Sequence, residues 1–340
     1  MRALPPSLRL SAARRLVDAS SGSIDQAAAR FLASAPDHGI DLDLLWGALG
    51  PTGEVADVCL AVLGAGRTAM LFPSRPGPGE GGDAARTACI QAACTGLAGR
   101  LGRRVVIAQG LPEPGEPWAL TAFRQAGFIH VGDLAYLSRP LRPADTTAPE
   151  AGGPWPPGVR IRPIRTLSRG SDDRRQLAAA MERSYEGTLD CPELCGLRET
   201  EDVIDSHAAT GRWTAALWRL VTIDGRPEGC VLLNPSPALR SVELVYLGLG
   251  PDLRGRGLGE RLMRDALALA AARRKRDSAE SMTCAVDRRN APALRLYARL
   301  GFEESAARVA LVRPLGRSDD SSTFLPAPAD NRWKRKTSGT

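Results

Sequence analysis

The chain repeats itself. An offset of 174 residues carries Phe123-Arg-Gln-Ala-Gly127-Phe128 onto Tyr297-Ala-Arg-Leu-Gly301-Phe302. The same offset carries Ala119-Leu120 onto Ala293-Leu294 and Arg139-Pro140-Leu141 onto Arg313-Pro314-Leu315. Upstream, an offset of 173 sets the segment from Arg67 to Phe72 against that from Arg240 to Val245. Several matches at one spacing describe one fold written twice. The repeat predicts two domains, 1–141 and 158–316, joined by a linker over 142–157 rich in Pro, Gly, Ala and Thr. A polar tail over 317–340 is expected to be disordered, with a basic end at Arg332, Lys334, Arg335 and Lys336.

The second block alternates strand and helix signals. Strands are expected over Val159–Ile164, Thr214–Ile223, Glu228–Leu233, Ser241–Leu249, Met282–Val286 and Glu303–Leu315. Helices are expected over Asp172–Ser184, Glu199–Thr210, Leu258–Arg274 and Ala291–Leu300. Asp224-Gly225 is a hairpin turn signal. The near-continuous apolar run from Ser241 to Leu249 predicts a strand buried on both faces. The pattern is α/β with a mixed central sheet.

Arg254-Gly255-Arg256-Gly257-Leu258-Gly259 follows that strand and opens an amphipathic helix. Glycines let the backbone curl around a ligand, and a helix N-terminus offers free amides and roughly half a positive charge. Arg254 and Arg256 add full charges, so a pyrophosphate suits the turn. This Arg-x-x-Gly-x-Gly loop after a strand ending Leu249-Gly250-Pro251 resembles the acetyl-CoA loop of the GCN5-related N-acetyltransferases, the GNAT family. Asn290-x-x-Ala293-x-x-Leu296-Tyr297-x-x-x-Gly301-Phe302 resembles that family's second signature. The likeness covers the second block well and the first in outline. It implies two tandem GNAT-like domains, each a mixed sheet flanked by helices, the first degenerate. The tandem form is similar to mycothiol-synthase-like acetyltransferases.

The resemblance implies an acetyl-CoA-dependent transfer to an amine of a small molecule or protein. A catalytically silent acyl-CoA-binding module is the alternative. By resemblance, Arg254, Gly255, Arg256, Gly257, Leu258 and Gly259 cradle the pyrophosphate. The backbone of Leu247 and Leu249 holds the pantetheine arm, and Asn290 contacts it. Asn290 also suits a helix N-cap, with Pro292 in the first turn. Tyr297 is the candidate acid for the departing thiolate, against a core role. Glu243 is the candidate base, against a paired structural carboxylate, because a charge inside so apolar a strand is costly. Direct deprotonation of an alkylammonium by a carboxylate spans ~6 pKa units, so a water relay or a raised pKa is expected. Tyr185, Glu186, Thr188 and Asp190 lie in the loop where the family often meets its acceptor, and the segment reads equally as a plain loop. In the first block Tyr297 maps to Phe123, Glu243 to Met70, and the phosphate loop to Gly79-Glu80-Gly81-Gly82, which predicts a non-catalytic copy.

Composition limits other readings. The net charge is +7, but of 45 basic residues only Lys275, Lys334 and Lys336 are lysine, a bias that weakens a nucleic-acid reading. Aromatic residues are 5%, too few for base-stacking platforms. The seven cysteines and three histidines show neither a disulfide framework nor metal spacing, and no metal is expected. Arg273-Arg274-Lys275-Arg276 suits the solvated C-terminus of a helix. No apolar run reaches membrane length and nothing marks export, so the expected location is cytoplasmic.

Overall fold

The structure is a computed structural model that describes residues 1–17, 23–77, 83–146 and 154–316. The tail, the middle of the linker and Gly79-Glu80-Gly81-Gly82 lie outside the described residues. The first half runs β1 (Arg2–Ala3), α1 (Arg9–Leu16), α2 (Ile24–Ser34), β2 (Leu45–Leu49), β3 (Val55–Gly64), β4 (Thr68–Pro73), α3 (Asp83–Leu101), β5 (Ile107–Gly110), α4 (Pro117–Gln125) and β6 (Ile129–Pro140). The second runs β7 (Val159–Pro163), α5 (Asp172–Tyr185), α6 (Thr200–Ala209), β8 (Trp218–Ile223), β9 (Arg226–Ser236), β10 (Ser241–Leu249), α7 (Leu258–Ala271), α8 (Arg274–Asp277), β11 (Ser281–Asp287), α9 (Ala291–Arg299) and β12 (Glu303–Pro314). The offset of 174 carries α4 onto α9 and β6 onto β12, residue for residue.

Local chemistry sets the element ends. Ser23 and Ser171 cap α2 and α5 by accepting from the amides of Asp25 and Arg174. Asp224 and Gly225, at φ 49° and 80°, make the left-handed turn that joins β8 to β9.

All twelve described strands form one sheet in the order β1-β2-β3-β4-β5-β12-β6-β11-β10-β9-β8-β7. The last strand of each half lies beside the other half. β12 pairs with β5, β6 pairs with β11, and the two exchanged strands pair with each other in the middle. The cores are correspondingly mixed. Ala135, Leu137 and Leu141 of the first half pack with Leu258, Met282 and Tyr297 of the second. Val309 and Leu311 of the second half pack with Ala93, Phe123 and Phe128 of the first. The apolar alternation in β6 and β12 satisfies either sheet position, so adjacency in sequence does not decide which half each strand completes.

Three expectations change. A boundary at 141/158 separates the sequence repeats but cuts through a shared sheet. The linker is not a loose tether at its ends: Asp145 is buried against Arg139, and the Arg261 guanidinium lies 3.6 Å from the Trp155 ring centroid. β10 is not buried on both faces, because Glu243 and Val245 to Gly248 are only half-buried. That half-buried stretch borders the cleft described next.

Candidate active site

The parallel strands β10 and β11 part company. They pair at Ser241–Ser281, Val242–Met282 and Glu243–Thr283 and no further, although they continue to Leu249 and Asp287. A β-bulge against β9 falls between Leu244 and Tyr246. Before it, Val242 and Leu244 face α7 and α9; Val245 and Tyr246 pack on the opposite side; after it, Leu247 and Leu249 return to the α7 side. One extra residue has thus re-aimed the strand end. Among the described residues the β11-side edge of β10 beyond Glu243 has no strand partner, leaving backbone groups open toward the split.

Beyond the strand end, Gly255 and Gly257 adopt φ 71° and 73°, and a Cβ on either would meet open space. Gly257 is the N-cap of α7 and offers no side-chain cap. Among the described residues none accepts from the amides of Gly255 to Gly259, so an anion-sized group of donors is exposed where the helix dipole is positive. Arg254 departs from its expected role. Its guanidinium is spent on the carbonyls of Leu249 at 2.8 Å, Glu186 at 2.6 Å and Ser184 at 2.7 Å. It clamps the end of α5 to the end of β10 rather than facing the open turn, and it also occupies the Leu249 carbonyl. Arg256 is exposed beside the turn.

Glu243 stands at the last pair before the split. Burial raises its carboxyl above the ordinary carboxylate value. No described residue gives it an ion pair or a hydrogen bond, which argues against a paired structural carboxylate. Tyr297 lies on the opposite face of the sheet, 7% exposed, in the core beneath the split with Cys284 and Val286. Burial lifts its phenol well above its usual value, with Cys284 and Asp190 adding to the shift. The hydroxyl stays protonated and has no hydrogen-bond partner among the described residues, unusual for a tyrosine that is only structural. Asn290 is the N-cap of α9, its Oδ1 accepting from the Ala293 amide at 3.2 Å. Its side-chain oxygen is therefore used at least in part by the helix.

Nothing in the sequence pattern singles out Tyr136. It comes from β6 of the first half, opposite Ala285, while Ser138 stands opposite Thr283. Cross-strand partners share a face, so Tyr136 and Ser138 are on the Glu243 side. The Glu243 charge adds to the burial that raises the Tyr136 phenol.

The loop after α5 is pinned. Asp190 accepts from the Asp287 amide at 2.7 Å, and Asp287 accepts in return from the Cys191 amide at 3.1 Å. Burial opposes the Asp287 charge, yet Arg289 and the amides of Arg289 and Cys191 hold its carboxyl below the ordinary value. Arg289 also binds Glu193 at 2.6 Å. Asp190 thereby serves the loop. Thr188 accepts from the Asp190 amide, and Glu186 pairs with Arg183 at 2.6 Å. Tyr185 packs edge-on against Tyr246, whose hydroxyl meets Ser184 at 2.6 Å. His207 lies 5.5 Å from the Tyr246 ring, and burial lowers it to about 4, so it is neutral at neutral pH. Among the described residues no group of His, Cys, Asp or Glu has metal-binding geometry.

The first half has a counterpart split. β4 and β5 pair in parallel at Thr68–Ile107, Ala69–Ala108 and Met70–Gln109, so Met70 holds the Glu243 position. Phe123 holds the Tyr297 position, packed 4.9 Å from Phe128 as Tyr297 is 5.5 Å from Phe302. A cavity of about 670 Å³ remains there, its walls including Met70, Phe72, Leu111, Trp118 and Phe123.

Comparison with known proteins bears on this geometry. Residues 182–302 match the Acetyltransferase (GNAT) family. The chain is similar to the peptidyl-lysine N-acetyltransferase YjaB of Salmonella typhimurium, 27% identical over 160 residues, covering 47% of this chain and 90% of that protein. In structure it resembles a GCN5-related N-acetyltransferase from Sphaerobacter thermophilus, with a TM-score of 0.53, 21% identity and 92% of each chain covered. A tandem GNAT protein from the clavulanic acid biosynthesis pathway gives a TM-score of 0.45 at 15% identity, over 92% of this chain and 94% of that one.

Proposed function

We propose, from the premise that this chain belongs to the GNAT acetyltransferase family, that it moves an acetyl group from acetyl-CoA to an amine by direct attack in a ternary complex. The observation that carries this is the pair of groups flanking the split, Glu243 on one face and Tyr297 on the other, neither with a hydrogen bond among the described residues. The residues fit the donor molecule. The free amides from Gly255 to Gly259 would hold its pyrophosphate, and the unpaired edge of β10 at Leu247 its pantetheine arm. The bound thioester supplies the activated acetyl group. A backbone donor at the carbonyl would be worth ~3 kcal/mol in the transition state.

Glu243 takes the amine proton, through water or by its raised pKa, because a direct transfer would cost roughly 8 kcal/mol at ordinary values. Tyr297 gives its proton to the leaving sulfur. Its raised pKa makes it a weaker acid, so position must do much of the work. Tyr136 and Ser138, brought in on β6, form part of the acceptor wall. The first half is a non-catalytic copy that completes the sheet and that wall, and the chain is a tandem repeat with one active site. An amine on a small molecule or a lysine side chain fits equally. The peptidyl-lysine activity of the Salmonella relative supports including the latter.

The test is acetyl-CoA-dependent thiol release with a panel of amines, lysine peptides and aminoglycosides. Turnover with at least one acceptor is expected. Tight acetyl-CoA binding with no thiol release from any of them would instead favour a silent binding module.

A further inference from the structure

A second polar site lies where the halves meet. A cavity of about 210 Å³ is walled by Arg139, Arg142, Arg264 and Arg299, with Asp145 at one side. Arg139 and Arg142 come from the first repeat and its exit, Arg264 from α7 and Arg299 from the end of α9. Arg139 is 6% exposed and holds Asp145 through both terminal nitrogens, at 2.9 and 2.7 Å. Its Nε is buried without a hydrogen-bond partner among the described residues. A buried donor without an acceptor is uncommon and calls for one. Arg264 and Arg299 share a single carboxylate, Glu260, at 2.8 and 3.3 Å. Four guanidinium groups therefore face two carboxylates, leaving an excess of positive charge around a space of small-molecule size.

The repeat keeps this arginine position but not the cluster around it. The counterpart of Arg139 is Arg313, which packs against Gly127 as Arg139 packs against Gly301, and it donates to the Ala126 carbonyl at 2.7 Å. The counterpart of Arg299 is Gln125, which accepts from Thr87 at 3.0 Å. The four arginines gather on the α7 and α9 side, two of them supplied by the first repeat and its exit. Guanidinium forks match the oxygens of a tetrahedral anion, and arginine is the usual choice for such recognition.

We propose that this cavity binds a phosphate group carrying close to two negative charges, bridging the first-half arginines to α7 and α9. Two sources share that chemistry: free inorganic phosphate, and the phosphate monoester on the ribose of acetyl-CoA. The second source rests on the proposed function; the first does not. Arg264 lies seven residues past Gly257 along α7, about 10 Å from the open turn.

The experiment uses the full chain. Thermal melts with inorganic phosphate, against chloride at matched ionic strength, should show a saturable rise in midpoint. The rise should vanish in Arg142→Ala and in Arg299→Ala, both exposed and outside the acetyl-transfer site, with unliganded melting nearly unchanged. Calorimetry with acetyl-CoA and its dephospho analogue separates the sources. If the ribose phosphate occupies the cavity, the analogue binds about tenfold more weakly in the wild type only, and inorganic phosphate competes with acetyl-CoA. If free phosphate occupies it, both ligands bind together and the affinity for acetyl-CoA is insensitive to Arg142→Ala. No saturable phosphate effect and no arginine-dependent preference for the ribose phosphate would overturn the proposal. If acetyl-CoA binding itself fails, the phosphate melts still decide the matter.

Discussion

At the residue scale two side chains, Glu243 and Tyr297, carry the proposed chemistry, and neither has a hydrogen bond or ion pair among the described residues. Tyr297→Phe keeps the buried ring and removes only the hydroxyl. It should lower kcat by roughly 10²-fold or more while acetyl-CoA affinity by calorimetry stays the same. Wild-type turnover would demote Tyr297 to packing. Glu243 predicts a pH dependence. Its carboxyl is raised above the ordinary value and must be ionised to act as base. The rate should therefore fall as pH drops through that raised value, and Glu243→Gln should remove this acidic limb along with most of the activity. A limb that persists in Glu243→Gln belongs to another group. These positions were legible in the sequence because a carboxylate in an apolar strand and a tyrosine beside Gly301-Phe302 are conspicuous. The role of Arg254 was not. An arginine opening a glycine loop reads as a phosphate ligand, whereas its acceptors at Ser184 and Glu186 lie some seventy residues earlier in the chain.

At the element scale the split between β10 and β11 and the open start of α7 form the proposed donor site. Gly257 tests it because its Cβ would point into open space. Gly257→Ala adds only the strain of a left-handed residue, of order 1 kcal/mol. Gly257→Glu adds a negative charge at the free amides as well. Calorimetry should show acetyl-CoA affinity little changed in the first and reduced at least tenfold in the second, with both chains folded. Equal affinities would remove the turn from the site. Strand and helix positions could be read from apolar periodicity almost throughout the second half. The bulge could not, because Leu244-Val245-Tyr246-Leu247 is apolar whichever way each residue faces.

At the scale of the whole molecule the halves share one sheet. The repeat offset revealed two copies, but β6 and β12 carry the same apolar alternation, so the sequence leaves open which sheet half each one joins. The presence of Tyr136 beside Glu243 follows only from that exchange. Removing residues 1–142 deletes both β5 and β6, the two neighbours of β12, and bares Leu311 and Val312. The truncated chain should lose cooperative melting and aggregate, as followed by circular dichroism and light scattering. A well-folded, active second half would show that β12 can close its own sheet.

On the proposed reading the chain has one working site, formed in the second half and completed by a strand of the first. The decisive measurement is a titration of the purified full chain with acetyl-CoA. One site per chain is expected, abolished by Gly257→Glu. A second site of similar affinity that survives that substitution would contradict it.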